Sequence, residues 1–133
     1  MSENATPYQA MIEQMTDSVI YADAEGIIRV WNHASELMFG FTAAEAIGQS
    51  LDIIVPERLR EPHWRGYNAA IAAGKTKHGG KAMRTKAINK SGEAIFAEVS
   101  FCVVEDPATG ARGSVAVARP AAPVTPPAPK PAA

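Results

Sequence analysis

Residues 17–32, DSVIYADAEGIIRVWN, decide the fold of this chain. The β-branched and aromatic runs at 18–23 and 27–31 are typical of strands, and the tight turn AEG between them predicts a hairpin. Asn32 follows the second strand directly, and its side chain can accept a backbone N–H at the start of a helix over residues 33–39. The sheet is therefore predicted to begin with a hairpin that leads into a short helix.

Capping signals place the helices in the middle of the chain. Thr42 and Glu45 form a capping box, in which each side chain binds the other residue's backbone N–H, and they predict another short helix. Pro62 suits the first position of a helix, where its missing N–H costs nothing, and predicts a longer helix over residues 62–73 that Gly74 ends. Two short helices and one long helix are therefore expected after the first hairpin.

Three further strands are predicted in the second half of the chain. Residues 81–89 and 94–104 are joined by the turn Lys90-Ser91-Gly92, which signals a hairpin, and residues 113–119 return after a second turn with proline and glycine. Strands at both ends with helices grouped between them indicate an α+β fold. We expect a five-stranded antiparallel sheet with helices packed on one face.

Residues 1–15 form a separate N-terminal segment in this prediction. Tyr8, Met11, Ile12 and Met15 recur at three- and four-residue spacing, which is the pattern of an amphipathic helix. The apolar side of this helix either packs on the domain's own sheet or pairs with a second copy of the chain.

The domain itself is assigned to residues 16–119, and residues 120–133 form a tail. This tail contains only proline, alanine, valine, threonine and one lysine. Such a segment buries too little apolar area to offset the entropy that it would lose on ordering. We expect it to be extended and disordered.

Composition limits the classes of function. Lys+Arg 13 against Asp+Glu 14 gives a net charge of −1, so no overall field recruits nucleic acid or an anionic membrane. No apolar run approaches the roughly 18 residues of a membrane span, and no signal peptide is recognisable. The single cysteine, Cys102, excludes an internal disulfide and favours a reducing, cytoplasmic setting. The sequence also has no acid–base pair, nucleophile–histidine spacing or glycine-rich phosphate loop that would indicate an enzyme.

Several short motifs resemble the PAS family. Three segments are similar to the first half of a PAS domain: the Trp-Asn pair at 31–32, the Phe-Gly-Phe segment at 39–41 that ends one helix, and the Glu-Ala-Ile-Gly segment at 45–48 that ends the next. The hairpin at 89–93 and the last strand match the second half, so the resemblance covers about residues 5–119. It implies a PAS fold with a ligand pocket between the long helix and the inner face of the sheet. It also implies a homodimer formed through the N-terminal helix.

The long helix presents an unusual face to that pocket. The residues that share this face by three- and four-residue spacing are Leu59, His63, Gly66, Tyr67 and Ala70. Their small members leave room for a flat, bulky ligand to reach the imidazole, and the helix N-terminus favours the neutral, metal-ligating form of histidine. On the sheet, strand alternation adds the inward side chains of Val99 and Phe101 to an apolar lining.

Residues 54–63, IVPERLREPH, resemble haem-binding PAS sensors of the FixL and direct-oxygen-sensor type. This resemblance implies that His63, seven positions after Pro56, is the axial ligand of a b-type haem. It also implies that the basic loop at residues 75–78 neutralises the haem propionates.

The side of the pocket opposite His63 departs from these sensors. Where they carry an arginine that hydrogen-bonds oxygen, this chain has Met83, whose thioether can coordinate iron but donates no hydrogen bond. Where the phosphodiesterase members carry a ligating methionine it has Lys81, and Tyr67 lies four rather than three positions after the histidine. These differences favour a resting state with His63 and Met83 as the two iron ligands, and they leave O2, CO and NO as candidate diatomic ligands.

Three functions remain open. The first is a stand-alone sensor that binds haem and reports redox state or a diatomic gas to a separate effector protein. The second is a small haem-dependent enzyme, and the third is a PAS domain without a cofactor that binds a metabolite or a partner protein. Flavin photochemistry is disfavoured, because residues 49–54, QSLDII, lack the cysteine-containing motif of flavin light sensors.

Overall fold

The computed structural model describes residues 5–77 and 79–122. Over these residues the chain forms the helices α1 (Tyr8–Gln14), α2 (His33–Phe39), α3 (Ala43–Ala46) and α4 (Arg60–Ala73). Two 3₁₀ helices, Leu51–Ile54 and Glu57–Leu59, lie between α3 and α4. The strands are β1 (Ser18–Asp23), β2 (Ile28–Trp31), β3 (Met83–Ile88), β4 (Ala94–Glu105) and β5 (Arg112–Pro120). None of the helices in this part of the chain has the length and apolar character needed to cross a membrane.

The strands form one antiparallel sheet in the order β2-β1-β5-β4-β3. Strands β1 and β2 form the first hairpin, and β3, β4 and β5 pair in sequence order. β5 joins the two groups by pairing with β1 on one side and with β4 on the other. Its Ala116 lies opposite both Ile20 and Phe101, so the inward side chains of three strands stand in a row. The predicted α+β fold with a five-stranded antiparallel sheet is confirmed.

The main core lies between the inner face of the first hairpin and the short helices. Ile20, Ile28, Trp31 and Phe39 are buried there. The rings of Trp31 and Phe39 lie 5.4 Å apart, and the indole N–H of Trp31 donates to the carbonyl oxygen of Phe41 at 2.9 Å. A buried tryptophan therefore has both its apolar surface and its polar atom satisfied.

Asn32 connects three elements at the end of β2. Its Oδ1 accepts the N–H of Ser35, which caps α2 as predicted, and also the N–H of Val19 in β1. Its Nδ2 donates to the carbonyl oxygen of Ile12 at 2.8 Å. One fully buried amide thus fixes the positions of α1, β1 and α2 relative to one another.

Helix boundaries follow the predicted capping signals with one exception. The capping box is present, because Glu45 N–H donates to Thr42 Oγ1 and Thr42 N–H donates to Glu45 Oε1. Helix α4, however, begins at Arg60, so Pro62 is its third residue and not its first. Proline is tolerated at this position because the first four N–H groups of a helix have no partner within the helix.

Six strand ends differ from the prediction by one or two residues, namely the start of β2, both ends of β3, the end of β4 and both ends of β5. β3 begins at Met83, two residues later than expected, and β5 runs one residue further, to Pro120, which pairs with Ala97. The N–H of Ala121 then donates to the carbonyl oxygen of Phe96 at 2.9 Å, so pairing with β4 orders the start of the segment predicted as a tail. The prediction of disorder for residues 123–133 lies outside the described residues.

The amphipathic helix is present as α1, and most of its apolar side is exposed. None of its residues, all of which are described, is buried, and Tyr8 is 69% exposed. Met11 and Met15 are exposed as well. Ile12 is the partly buried member of this side, and pairing of the helix with a second copy of the chain stays a prediction.

Candidate ligand-binding site

Helix α4 is held over the inner face of the sheet by polar contacts and by the partly buried rings of Trp64 and Tyr67, which pack against the main core. None of its residues, all of them described, is buried. In its first half, the indole N–H of Trp64 donates to Asp52 Oδ1 at 2.7 Å, and the hydroxyl of Tyr67 donates to the carbonyl oxygen of Asp23 in β1. A helix attached in this way can stand off from the sheet and leave space beneath it.

The far end of α4 is attached by Arg112 of β5. Its Nη1 donates to the carbonyl oxygens of Ile71 and Ala72, both at 2.9 Å, and its Nε donates to Glu105 at 3.0 Å. A cation at this place both satisfies carbonyls that the helix leaves unpaired and complements the negative end of its dipole. Both ends of the helix are thus fixed to the sheet side of the domain.

A cavity of about 410 Å³ lies between α4 and the sheet. This volume falls within the range of roughly 300–1,000 Å³ that is usual for small-molecule and cofactor sites. The residues that line it are Pro62, His63, Gly66, Tyr67, Ala70, Ile71, Thr76, Lys77, Gly80, Lys81, Met83, Arg84, Thr85, Phe101, Val103 and Ser114. We call this space the main cavity.

A second space of about 140 Å³ lies behind His63, between the sheet and the two 3₁₀ helices. Its lining comes from Ile20, Phe39, Leu51, Ile54, Val55, Leu59, Lys86, Ala87, Ala97, Val99, Ala116 and Ala118. Four residues line both spaces, namely His63, Thr85, Phe101 and Ser114. We call this smaller space the inner chamber.

His63 stands where the two spaces meet. Its Nδ1 is buried and has no hydrogen-bond partner among the described residues. Burial lowers the pKa of the imidazole from its ordinary value of 6.5, and the nearby Asp52 carboxylate opposes this shift only in part. The ring therefore stays neutral at physiological pH, and a buried polar atom without a partner is a place where a bound molecule can make a contact.

Met83 and Phe101 are the exposed side chains on the inner face of the sheet. Met83 pairs with Val99 across β3 and β4, and both side chains point to the side on which the helices lie. Met83 is nevertheless 39% exposed and Phe101 38% exposed, because the main cavity and not a packed side chain lies above them. His63 from the helix and Met83 from the sheet thus face the same space.

All of the residues proposed from the sequence line one of the two spaces. His63, Gly66, Tyr67, Ala70, Met83 and Phe101 line the main cavity, whereas Leu59 and Val99 line the inner chamber. At Gly66 an added Cβ would meet no described atom within 4 Å, which agrees with the expected free room beside His63. The alternation in β4 is also confirmed, since Cys102 is exposed on the other face.

A group of cations at the main cavity was only partly predicted. Lys77, Lys81 and Arg84 line it, and among the described lining residues none is acidic. None of the three forms an ion pair with a described residue. The sequence indicated the basic loop that contains Lys77, while His78 of that loop lies outside the described residues. We call these three side chains the cationic rim.

The sheet, the helix held above it and the space between them define an α+β domain with a cavity beneath its long helix. The model of the PAS fold family matches residues 6–121, and the chain belongs to this family. It is a PAS sensor domain, as the motifs in its sequence had indicated.

Relatives with known sequences and structures agree with this assignment. An uncharacterized protein of Azorhizobium caulinodans is 31% identical over 93 residues, which are 69% of this chain and 13% of that protein. The sensor protein FixL of Bradyrhizobium diazoefficiens is 36% identical over 58 residues, which are 44% of this chain and 12% of that protein. The chain therefore spans only a small part of the length of these relatives. The solved PAS domain of a protein from Colwellia psychrerythraea has a TM-score of 0.73 at 18% identity, over 86% of this chain and 93% of that domain.

Proposed function

We propose that this PAS domain binds a b-type haem in the main cavity, with His63 as an axial ligand, and senses redox state or a diatomic gas. The observation that carries the proposal is the neutral imidazole of His63, whose Nδ1 is buried without a described partner at the wall of a cofactor-sized space. When bound, the haem iron would supply a centre that changes its redox state and binds O2, CO or NO.

The lining of the main cavity fits a flat, mostly apolar group with acidic substituents. Gly66 and Ala70 leave space on the helix side, and Phe101 and Val103 supply apolar surface on the sheet side. The cationic rim supplies positive charge without any competing carboxylate among the described lining residues. A haem has this combination, because its carboxylate-bearing propionates lie at one edge of an apolar ring.

The opposite side of the cavity supports a second protein ligand. Met83 lies on β3. The haem-binding PAS sensors that residues 54–63 resemble carry an arginine at this position when they bind oxygen. The thioether of Met83 faces the main cavity, and a thioether is an established axial ligand of haem iron. We therefore include Met83 as a second residue that would hold the haem iron.

The similarity to the sensor protein FixL supports a sensory role, and the chain spans 12% of that protein. We propose that the domain passes its signal to an effector protein. We also propose that it forms a homodimer through α1, because the apolar side of this helix is exposed at Tyr8, Met11 and Met15.

The absorption spectrum of the purified protein tests the haem proposal. We expect the wild type, after addition of haem, to show a sharp band at roughly 400–430 nm, the usual region for haem proteins, and His63→Ala to lose most of its bound haem, because the cavity then offers no nitrogen ligand. The matched control is His33→Ala, since His33 is an exposed histidine of α2, and it should bind haem like the wild type.

Full haem occupancy in His63→Ala would refute the assignment of His63. A wild type that stays colourless after haem addition would remove the cofactor and leave a PAS domain that binds another ligand or a partner protein. Turnover of a peroxide by the haem-loaded protein would instead favour the haem-dependent enzyme. Met83→Leu should change the ferrous spectrum to that of a haem with one protein ligand, and an unchanged spectrum would exclude Met83 as a ligand.

A further inference from the structure

The hydrophobic core of the domain is divided into two clusters. The larger one contains Ile20 and Phe39 and reaches Leu51 and Ala87, whereas a smaller one consists of Ala97, Val99 and Ala118. The inner chamber lies between them, since residues from both clusters line it. Met38 and Ala116 are partly buried and pack against both clusters, so the chamber is a gap beside the contact that joins them.

Small side chains explain why the chamber stays open. The sheet contributes Ala87, Ala97, Ala116 and Ala118 from β3, β4 and β5 to its floor. On the other side, Leu51, Ile54 and Leu59 come from the 3₁₀ helices and form its roof. Methyl groups on the floor are too short to reach this roof, so about 140 Å³ is left unfilled.

The chemistry of the lining selects what can enter. Water in a cavity needs two to four polar partners, and an apolar cavity of about 150 Å³ in another protein stays dry and binds benzene or xenon. The inner chamber has about this volume. Its polar side chains, His63, Thr85, Lys86 and Ser114, are outnumbered three to one by its apolar lining residues.

We propose that the inner chamber is a second binding site, which takes uncharged apolar molecules of about the size of benzene or smaller, and that it is distinct from the main cavity. Molecules of this class include xenon, short hydrocarbons and the diatomic gases. Because His63, Thr85, Phe101 and Ser114 line both spaces, an occupant of the chamber lies directly beside the ligand of the main cavity. The site itself does not depend on haem.

Methyl NMR of the haem-free wild type, titrated with benzene and in parallel under xenon pressure, tests the proposal. We expect saturable shifts at the methyl groups of Ile20, Leu51 and Ile54, which line the chamber. Leu37 and Val104 are exposed elsewhere and serve as internal controls that should not move. Shifts confined to Ile71 and Val103, which line only the main cavity, would overturn the proposal, and so would the absence of any saturable shift.

A substitution that fills the inner chamber provides the second test. Ala116→Leu should weaken benzene binding at least tenfold while the unfolding temperature stays the same or rises, because the added carbons occupy an existing void. Ala116→Val, with two added carbons, is the milder alternative if the leucine variant does not fold. Val104→Leu changes an exposed residue of the neighbouring strand and should bind benzene like the wild type. A folded Ala116 variant with unchanged benzene affinity would contradict the site.

Different results would contradict the haem proposal and the proposal of a binding site in the inner chamber. Loss of benzene binding in Ala116→Leu with haem binding retained is expected if both are right, because Ala116 lines only the inner chamber. A colourless wild type with chamber shifts supports the chamber alone, whereas a haem-binding wild type without chamber shifts supports only the proposed function.

Discussion

At the scale of single residues, the buried imidazole of His63 makes the stability of the haem-free protein depend on pH. Burial lowers its pKa below the ordinary value of 6.5. Above about pH 6.5 the ring is neutral in both the folded and the unfolded chain, so its contribution to stability is complete. As the pH falls below 6.5 the unfolded chain takes up a proton that the folded chain does not, and the free energy of unfolding decreases until the pH reaches the folded pKa.

Urea unfolding of the haem-free protein at pH 7.5, 6.5 and 5.5 measures this effect. We expect the wild type to lose more stability between pH 6.5 and 5.5 than His63→Phe, which keeps a ring but has no titrating nitrogen. All other residues are the same in both proteins, so their contributions cancel in the comparison. Equal losses in the two proteins would show that the imidazole of His63 is hydrated in the folded state.

The sequence predicted the lining residues better than the charges around them. Three- and four-residue spacing on α4 and alternation on β4 follow from backbone geometry, so His63, Gly66 and Phe101 could be placed on the cavity side. Arg84 was missed because alternation in β3 assigns it to the opposite face from Met83. It lines the cavity all the same, and only the structure shows how far a long side chain reaches.

At the scale of elements, the start of α4 depends on its contact with the turn between β1 and β2. The ring of Trp64 packs against Gly26, where a Cβ would lie only 2.1 Å from Cη2. Gly26 also has a φ of +77°, which other residues adopt at a cost of about 1–2 kcal/mol. We expect Gly26→Ala to lower the free energy of unfolding by this amount and by roughly a further 1–3 kcal/mol for overpacking against the indole.

Gly110→Ala is the matched control for this prediction. Its φ of +75° is nearly the same, but a Cβ there would meet no described atom within 4 Å. Chemical denaturation should therefore give the smaller backbone cost alone for Gly110→Ala. Equal losses in the two variants would mean that Trp64 moves away without cost.

Most of the helices and strands could be predicted from local sequence motifs. The bond from the Ser35 N–H to Asn32 and the bonds of the Thr42–Glu45 capping box involve neighbours in sequence, so short motifs specify them. The bonds of Asn32 to Val19 and Ile12 join distant parts of the chain and were not predicted. The ends of β3 and β5 depend instead on pairing with β4, which is a contact between distant parts of the chain. This is why Pro120 was assigned to a tail although it lies in the sheet.

At the scale of the whole molecule, the exposed apolar side of α1 predicts self-association. We expect the wild type to elute as a dimer in size-exclusion chromatography with light scattering, and Met11→Glu to shift it to a monomer by placing a charge in the interface. Ile47→Glu adds the same charge at another exposed apolar residue and should leave the dimer intact. A monomeric wild type at high concentration would contradict the dimer.

The attachment of α4 through Arg112 affects how a structural change caused by ligand binding can pass from the cavity to the end of the domain. Arg112 belongs to β5, the strand whose other end passes Pro120 on its way out of the sheet. A guest that pushes the helix outward must either break the two bonds from this guanidinium to the last helical turn or drag the strand along with it. As long as these two bonds hold, filling the space under the helix also displaces the last strand.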